Sequence, residues 1–352
     1  GTVVDARFPA ATSSNTGFWA SVEASLSAVC KMLSCSEEWK HNMMGQWMAS
    51  FITMNFSGTT QSGQPFVFHE MSTKFGGGGA RYSEDGIDNG GNITTPVPAI
   101  PNIESIELEY PFLYIFRKQA IDSGGAGAFR GGVGGELAFT PHNVAFANFV
   151  LSTYDTDQSG ATSFNGGFPG GGNQAVMWRG SDIWQRYSQG NIPTDMNEFS
   201  GKKEILDAKV SGRLNYGDIF FSVCSGGGSL GDPLERDPLK ATQDIQDGVT
   251  SLERARNLFG IIVEPLTLQL KWEETQRLRE EMRNLRLTNG KRIREKGFAP
   301  PEKKEGRERQ RLGERLYIEE GVVYCSHCNG VIGPASENPK LYCLYRAEPL
   351  GI

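Results

Sequence analysis

Glycine clusters constrain the fold of this chain more than any other feature of its sequence. Residues 122–136 read DSGGAGAFRGGVGGE, with seven glycines, and further clusters lie at 76–79, 166–172 and 226–231. Glycine loses more backbone entropy on folding than any other residue, so each cluster needs a compensating use. A phosphate-binding loop, a series of tight turns and a flexible tether are three such uses. The clusters have no fixed period, which argues against a solenoid.

Length and composition narrow the class of protein. A chain of 352 residues can bury one large core or two ordinary ones. Its 22% charged and 38% hydrophobic residues are typical of a globular protein. The net charge of −6 gives no overall case for nucleic acid as a partner. No stretch approaches the roughly 20 apolar residues that cross a bilayer. We therefore expect a cytoplasmic protein with neither nucleic acid nor a membrane as partner.

Residue periodicity predicts an α+β fold with a glycine-rich β-sheet core and flanking helices. Apolar residues spaced three and four apart predict helices within residues 16–54. Segments rich in β-branched and aromatic residues then alternate with the glycine clusters, and such segments are typical of strands. They lie at Pro65–His69, Ile106–Arg117, Asn143–Leu151 and Asp218–Cys224.

The last third of the chain changes character. Residues 240–260 predict two short helices broken at Gly248, with Thr250 and Glu253 as a capping box at the start of the second. A long charged helix is predicted at 266–286. The surplus of Lys and Arg in this part of the chain indicates either a solvated helix and tether or a surface that docks on an acidic partner chain.

These patterns divide the chain into three parts. We predict a first domain at 1–263, a charged helix and linker at 264–315, and a small CxxC module at 316–352.

Motif tests argue against nucleotide binding by the glycine clusters. None of them fits GxxxxGK[ST], which excludes a Walker loop in this sequence. Gly226, Gly228 and Gly231 match GxGxxG, but Asp232-Pro233 follows them instead of a helix start. A lone match in this context is weak evidence for a dinucleotide site.

Three clusters carry an arginine, namely Arg81, Arg130 and Arg236. Concave loops rich in backbone N–H groups are natural sites for anions and oxyanions. We therefore take these three arginines as the candidate catalytic residues, converging on one place. The alternative is that the glycine turns only let strands pack closely.

Several motifs in combination resemble the hydantoinase B family. The run Asp122–Gly135 is followed about a hundred residues later by Gly226–Pro238 and a helix that ends at Phe259-Gly260. The segment Gly76–Arg81 is similar to the family's earlier glycine loop. The family includes ATP-dependent oxoprolinases and hydantoinases and the large subunits of acetone and acetophenone carboxylases. The resemblance covers roughly residues 1–263.

The resemblance also implies partners and cofactors. The metal-bearing half of the family's large subunit precedes the part that this sequence resembles, and the four histidines (His41, His69, His142, His327) do not match its ligands. We therefore expect a catalytic divalent metal and ATP on partner chains or on that missing half, and no cofactor bound by the glycine loops. The expected partners in a hetero-oligomer are an actin-like ATPase subunit of the hydantoinase A type and a chain carrying the metal-binding half.

Three functions follow from the resemblance. In a ketone carboxylase complex, the ATPase phosphorylates the substrate oxygen and the enol phosphate is then carboxylated by bicarbonate or CO₂. In the oxoprolinase and hydantoinase branch, water opens a phosphorylated lactam ring. The third possibility is a non-catalytic scaffold subunit.

The C-terminal tail resembles the start of the small zinc-containing subunit of acetone carboxylases. Cys325 and Cys328 have the spacing of a zinc knuckle, and Cys343 offers a third ligand. A structural zinc needs four ligands, so either the site is incomplete in this sequence or the fourth ligand comes from another chain. The resemblance implies a small zinc-ribbon-like module, and a metal-free remnant of that module is the alternative.

Overall fold

Strands with alternating buried residues build two antiparallel sheets in the first two thirds of the chain. The computed structural model describes residues 20–36, 38–47, 52–91, 99–153, 155–157, 159–293, 299, 309–312 and 315–345. The first sheet has the order β2-β1-β5-β8 and contains β1 (Thr53–Thr59), β2 (Pro65–Glu70), β5 (Phe146–Ser152) and β8 (Lys209–Asn215). The second has the order β3-β4-β9-β6-β7 and contains β3 (Phe112–Gln119), β4 (Gly135–Pro141), β6 (Gln174–Arg179), β7 (Lys202–Ile205) and β9 (Ile219–Val223).

An aromatic core joins the facing sides of the two sheets. Phe56 of β1 lies 4.8 Å from Phe112 and 5.4 Å from Phe139 between ring centroids, and Phe139 lies 5.2 Å from Phe220. All four rings are buried. The core of the sandwich is thus aromatic, and the glycine clusters lie in the segments that leave the strands. This corrects the expectation of a glycine-rich sheet core, although the mixed helix and sheet content agrees with the predicted α+β class.

The second sheet is buried on its other face as well. Ile219 and Phe221 alternate with Phe220 along β9, so they point away from the sandwich core. They pack with Trp178 and with Ile183 of α3 (Ile183–Ser188).

The second predicted strand contains a helix that the sequence pattern did not reveal. Residues Ile103–Glu109 form α2, and β3 begins only at Phe112. The Asn102 side chain accepts a hydrogen bond from the N–H of Ser105 and caps the helix. The cap and the inward-facing Ile106 outweigh the β-branched content of this segment.

The predicted helices of residues 16–54 are shorter than expected. Helix α1 is Ala20–Leu33, a 3₁₀ turn follows at Lys40–Asn42, and residues 43–47 are extended. The reason lies at Gly45, whose N–H donates to the carbonyl of Ala80 in the first glycine loop. Residues 16–19, 37 and 48–51 of the predicted helical segment lie outside the described part of the chain.

Three further helices cover the glycine loops. They are α4 (Pro238–Gln246), α5 (Leu252–Phe259) and α6 (Trp272–Asn289). The cap of α5 is Ser251, whose hydroxyl accepts from the N–H of Arg254, and not Thr250 as predicted. The Thr250 N–H instead donates to the Asp244 carbonyl, which holds this residue in the preceding turn.

The tail forms a small four-stranded sheet with the order β11-β12-β13-β14. Its strands are β11 (Gln310–Arg311), β12 (Leu316–Glu319), β13 (Val322–Cys325) and β14 (Val331–Pro334). Tyr317, Val322 and Tyr324 make its core. The tail contacts the rest of the chain through β15 (Leu344–Tyr345), which pairs with β10 (Lys291–Arg292) just after α6. Within the described residues, no helix has the length and apolar character needed to cross a bilayer.

Candidate functional site

The four glycine clusters pack backbone against backbone. We call segments 76–79, 123–134, 168–172 and 225–231 the glycine bundle. A Cβ atom added to Gly227 would lie 1.9 Å from the carbonyl oxygen of Gly78, and one added to Gly131 would lie 1.9 Å from that of Gly227. Neither glycine has a positive φ. Glycine is required here because a neighbouring carbonyl occupies the place of a side chain.

Hydrogen bonds between the segments use the N–H groups of the bundle. The N–H of Gly132 donates to the carbonyl of Gly78 at 2.8 Å, and that of Gly227 donates to Gly132 at 2.9 Å. The N–H of Gly125 in turn donates to Gly227 at 2.9 Å. These N–H groups are therefore committed to neighbouring segments and do not form an open anion-binding loop. The close-packing interpretation accounts for these positions.

Two of the three candidate arginines meet in a buried ion cluster. The Arg130 guanidinium donates to both oxygens of Asp88 at 2.7 and 3.0 Å and to Asp244 at 2.9 Å. The Arg236 guanidinium donates to both oxygens of Asp85 at 2.7 and 2.8 Å and to Asp244 at 2.6 and 3.0 Å. Arg236 is 0% exposed and Arg130 is 9% exposed. Two arginines and three aspartates thus hold three glycine loops and α4 together.

Within this ion cluster, the neighbouring opposite charges oppose the effect of burial on the pKa of Asp85 and of Arg130. Burial would raise the pKa of Asp85, but hydrogen bonds from Arg236 and the charges of Arg236 and Arg130 lower it below its ordinary value. Burial would lower the pKa of Arg130, but Asp88 and Asp244 raise it. The buried guanidinium groups are thus compensated by neighbouring carboxylates, and backbone groups complete the hydrogen bonding: Arg130 also donates to the Gly131 carbonyl and Arg236 to the Ala128 carbonyl.

Arg81 lies outside this cluster. Its exposed side chain makes an ion pair with Glu84 at 2.5 Å. The structure therefore brings together two of the three candidate arginines. The three aspartates were missed by sequence reasoning, although a buried arginine implies a carboxylate, and Asp85 and Asp88 lie in the segment after the first glycine loop.

A cleft of about 750 Å³ opens beside the glycine bundle. It lies between residues 120–123, the bundle segment 168–172, and helices α5 and α6. Asp122 at its edge has a φ of 67°, an unusual value for a residue other than glycine. Its carbonyl accepts a hydrogen bond from Arg254, and its carboxylate accepts the N–H of Ser251 at 2.9 Å. These contacts hold the start of the second glycine segment against α5.

Glu136 of β4 also faces the cleft. Burial raises its pKa, in opposition to Lys118, whose ammonium lies 3.1 Å from the Glu136 carboxylate. The Lys118 ammonium also lies 3.2 Å from the carboxylate of Asp195, so it forms ion pairs with two acids.

Three arginines of α6 fasten this helix to the loop that follows the last glycine segment. We call Arg279, Arg283 and Arg286 the arginine ladder; their spacing of four and three places them on one helix face. Arg286 makes a bidentate ion pair with Asp232 at 2.7 and 2.9 Å. The other two donate to backbone carbonyls, Arg283 to Leu234 at 3.1 Å and Arg279 to Arg236 at 2.6 Å and Phe259 at 2.9 Å.

The arginine ladder concerns the prediction that the basic segment is either a solvated helix or a surface for an acidic partner chain. On this face of α6 the arginines contact an acidic residue and carbonyls of their own chain. Sequence reasoning missed this contact, although the helical spacing of the arginines was available as a signal.

Cys325 ends β13 and Cys328 lies in the turn that follows, whereas Cys343 lies between the 3₁₀ turn at Pro339–Tyr342 and β15. The Cys325 sulfur accepts hydrogen bonds from the backbone N–H groups of Cys328 and His327, which lower the pKa of its thiol. Asn329 has a φ of 54°, which closes the turn. The Cys343 thiol donates to the carbonyl of Pro339. Among the residues that the structure describes, no group of three His, Cys, Asp or Glu side chains is placed to hold a metal ion. Cys325 and Cys328 thus share one turn, without a complete metal site around them in the described part of the chain.

Comparison with known proteins gives a consistent picture. The family model described as Hydantoinase B/oxoprolinase matches residues 1–233. The acetophenone carboxylase delta subunit of Aromatoleum aromaticum is 27% identical over 255 residues, which cover 70% of this chain and 35% of that subunit. This chain therefore spans about a third of that relative's length.

Solved structures share the fold. An acetone carboxylase, solved nucleotide-free in a study of ATP-dependent acetone carboxylation, superposes with a TM-score of 0.70 at 21% identity, over 79% of this chain and 39% of that one. The ATP-dependent caprolactamase of Pseudomonas jessenii superposes with a TM-score of 0.58 at 21% identity, over 71% of this chain and 40% of that one. At these identities the likeness shows a shared fold.

Close packing within the bundle predicts a large effect of a single methyl group. We expect Gly227→Ala to lower the free energy of unfolding by about 3 kcal/mol, because its Cβ would overlap the Gly78 carbonyl. Gly171→Ala is the matched control, because the nearest atom to its Cβ is 3.3 Å away and the residue is exposed. We expect the control to change stability by less than about 1 kcal/mol in urea denaturation. Equal losses for the two variants would contradict backbone-to-backbone packing as the reason for glycine.

The buried ion cluster predicts that Arg236 contributes much more to stability than the exposed Arg81. We expect Arg236→Met to lower the free energy of unfolding by about 3–5 kcal/mol, because Asp85 and Asp244 lose a buried counter-charge. Arg81→Met removes only an exposed pair and should cost less than about 1 kcal/mol.

Acid unfolding gives an independent readout of the same variant. Because the folded pKa of Asp85 is lowered, its contribution is complete above the unfolded carboxyl pKa of about 4 and is lost as the pH falls below that value. We expect Arg236→Met to lose this part of the pH dependence. An unchanged acid profile, measured by circular dichroism, would show that the cluster does not stabilise the fold.

Proposed function

Because the chain belongs to the hydantoinase B/oxoprolinase family, we propose that it is a component of an ATP-dependent ketone carboxylase complex. The observation that carries this proposal is the similarity to the acetophenone carboxylase delta subunit over 70% of the chain. The superposition on acetone carboxylase supports the same choice at the level of the fold. The proposed complex carboxylates a phosphorylated enol intermediate with bicarbonate or CO₂.

We propose that ATP and the catalytic divalent metal are bound outside the residues of this sequence, on partner chains or on the metal-binding half of the large subunit. The chain spans 35% of the length of that carboxylase subunit, and its sequence contains no Walker loop. The bundle N–H groups described above are also committed to neighbouring backbone. The proposed partners in a hetero-oligomer are an actin-like ATPase and a chain with the metal-binding half.

Phosphorylation by the ATPase partner supplies the driving force. Transfer of the γ-phosphoryl group to the ketone oxygen, with loss of an α-proton, gives an enol phosphate. The enol carbon then forms a bond to the carbon of CO₂, while water attacks phosphorus and breaks its bond to the enol oxygen, which becomes the ketone oxygen. Together with ADP from the first step, the products are a β-keto acid, inorganic phosphate and a proton.

Within this proposal the glycine bundle is a rigid frame. Arg130 and Arg236 act as positioning residues, because both guanidinium groups are fully used by Asp85, Asp88 and Asp244. Arg81 is the candidate with an exposed guanidinium, and its contact to an anionic intermediate would require release of Glu84.

We propose that 1–263 is the family domain, that 264–315 is a helix and linker, and that 316–352 is a separate small module. Contacts between these parts include the arginine ladder, the β10–β15 pair, the Arg315–Glu235 ion pair, and Leu268 and Leu270 packed against the apolar cluster of α4 and α5.

Amide-ring hydrolysis is the second candidate function. It is favoured by the superposition on the ATP-dependent caprolactamase, which has a lower TM-score than that on acetone carboxylase. A lactam would then take the place of the ketone as substrate, and water that of CO₂. A non-catalytic scaffold role is the third candidate.

One assay separates these candidates. We expect the complex that co-purifies with this chain to incorporate labelled bicarbonate into a ketone only when ATP is present. The matched reaction with a lactam measures ATP-dependent ring opening instead. Lactam opening without carboxylation would contradict the carboxylase proposal. If both activities persist after this chain is removed from the complex, the chain is a scaffold.

The tail predicts a structural zinc. We propose that Cys325 and Cys328 bind it, with the other ligands from Cys343 or a neighbouring chain. We expect elemental analysis of the complex to find zinc that Cys325→Ser releases, while Cys35→Ser, which changes an exposed cysteine far along the chain, does not. A complex without zinc would leave the tail as a metal-free packing module.

A further inference from the structure

The cleft beside the glycine bundle has the size and walls of a small-molecule site. Its volume of about 750 Å³ lies within the roughly 300–1,000 Å³ of ligand pockets. Leu278 and Met282 of α6 form one apolar wall, and Phe168 and Leu258 contribute to the opposite side. A ligand that fills this space therefore has an apolar body.

Most of the charges that line the cleft are already compensated within the protein. Arg286 is paired with Asp232 and Glu136 with Lys118, as described above. Arg254 donates to two backbone carbonyls and lies 4.0 Å from the carboxylate of Asp122, which also accepts the N–H of Ser251.

Two lining charges have no such partner. Arg256 of α5 and Asp157 line the cleft, and neither makes an ion pair or hydrogen bond with the residues that the structure describes. Both are exposed to solvent. The uncompensated charges of the cleft are thus one guanidinium and one carboxylate, of opposite sign.

We propose that the cleft binds a small amphipathic zwitterion, an apolar body that carries both a carboxylate and an ammonium group. Arg256 binds the carboxylate, for which the planar guanidinium offers two parallel hydrogen bonds. Asp157 accepts hydrogen bonds from the ammonium group. This binding site goes beyond the proposed carboxylation, because it requires no ATP and no partner chain.

Helix α6, which contributes one wall of the cleft, lies beyond the residues that match the family model. The family match ends at residue 233, whereas the apolar wall comes from residues 278 and 282. The arginine ladder fixes that wall against the family portion. Occupancy of the cleft therefore depends on an element that lies outside the matched family region.

Three probes with the same phenyl-bearing body test the charge argument. Phenylalanine carries both charges, 3-phenylpropionate only the carboxylate and 2-phenylethylamine only the ammonium. We expect phenylalanine to bind the full chain at least about tenfold more tightly than either singly charged probe in isothermal titration calorimetry, a difference of about 1.4 kcal/mol.

Variants assign each charge to its residue. Arg256→Gln should weaken phenylalanine and 3-phenylpropionate about tenfold and leave 2-phenylethylamine unchanged, whereas Asp157→Asn should weaken phenylalanine and 2-phenylethylamine only. Met282→Trp should weaken all three by filling the cleft. Arg277→Gln is the control, because its side chain is 73% exposed and does not line the cleft.

Two results would overturn the proposal. One is the absence of binding by all three probes to the folded chain. The other is binding in which a singly charged probe equals phenylalanine, or in which Arg256→Gln and Asp157→Asn have no effect. Because these titrations contain no ATP, ketone or partner chain, their outcome is independent of whether the complex carboxylates a ketone.

Discussion

Contact between backbone and backbone is the constraint on which the rest of this structure depends. In the glycine bundle a carbonyl oxygen lies where the Cβ of its neighbour would be. A Cβ atom added to Gly77, for example, would lie 1.8 Å from the carbonyl oxygen of Gly132. Segments at this separation exchange N–H···O=C hydrogen bonds without forming a sheet. The entropy that glycine loses on folding is offset by these bonds and by close contact over four segments. The glycine loops are therefore a rigid framework beside the sandwich and not a flexible tether.

Such a framework has few side chains of its own, so its loops are tied together by charge. Asp244 of α4 accepts hydrogen bonds from both Arg130 and Arg236, which belong to two different glycine loops. Asp85 binds the Arg236 side chain and also accepts the N–H of Arg130. Removal of Arg236 would leave Asp85 without the guanidinium that binds both of its oxygens, so the cluster depends most on its two arginines.

The sequence predicted the parts of the fold that have local signals. Strands β2, β5 and β9 follow from their β-branched and aromatic residues, and their predicted positions are confirmed to within a few residues. Helix α2 was predicted as strand because its Asn102 cap is a one-residue signal within an apolar segment. The glycine clusters were recognised as a family signature, but their use depends on which segments face each other, and no local pattern encodes that. The same holds for the carboxylates of the ion cluster, because Asp85 and Asp88 come from one loop and Asp244 from α4, more than a hundred residues later.

Helix α6 is held differently from the elements that precede it. The sandwich is joined by aromatic packing, the bundle by backbone contact, and α4 and α5 by an apolar cluster with Ala126. Helix α6 is joined by the side chains of the arginine ladder, which donate to the carboxylate of Asp232 and to the carbonyls of Leu234 and Arg236, at every second residue of that loop. A loop whose conformation is fixed by the buried side chain of Arg236 presents those acceptors in a constant geometry. The framework therefore positions α6, and α6 in turn completes the wall of the cleft with Leu278 and Met282.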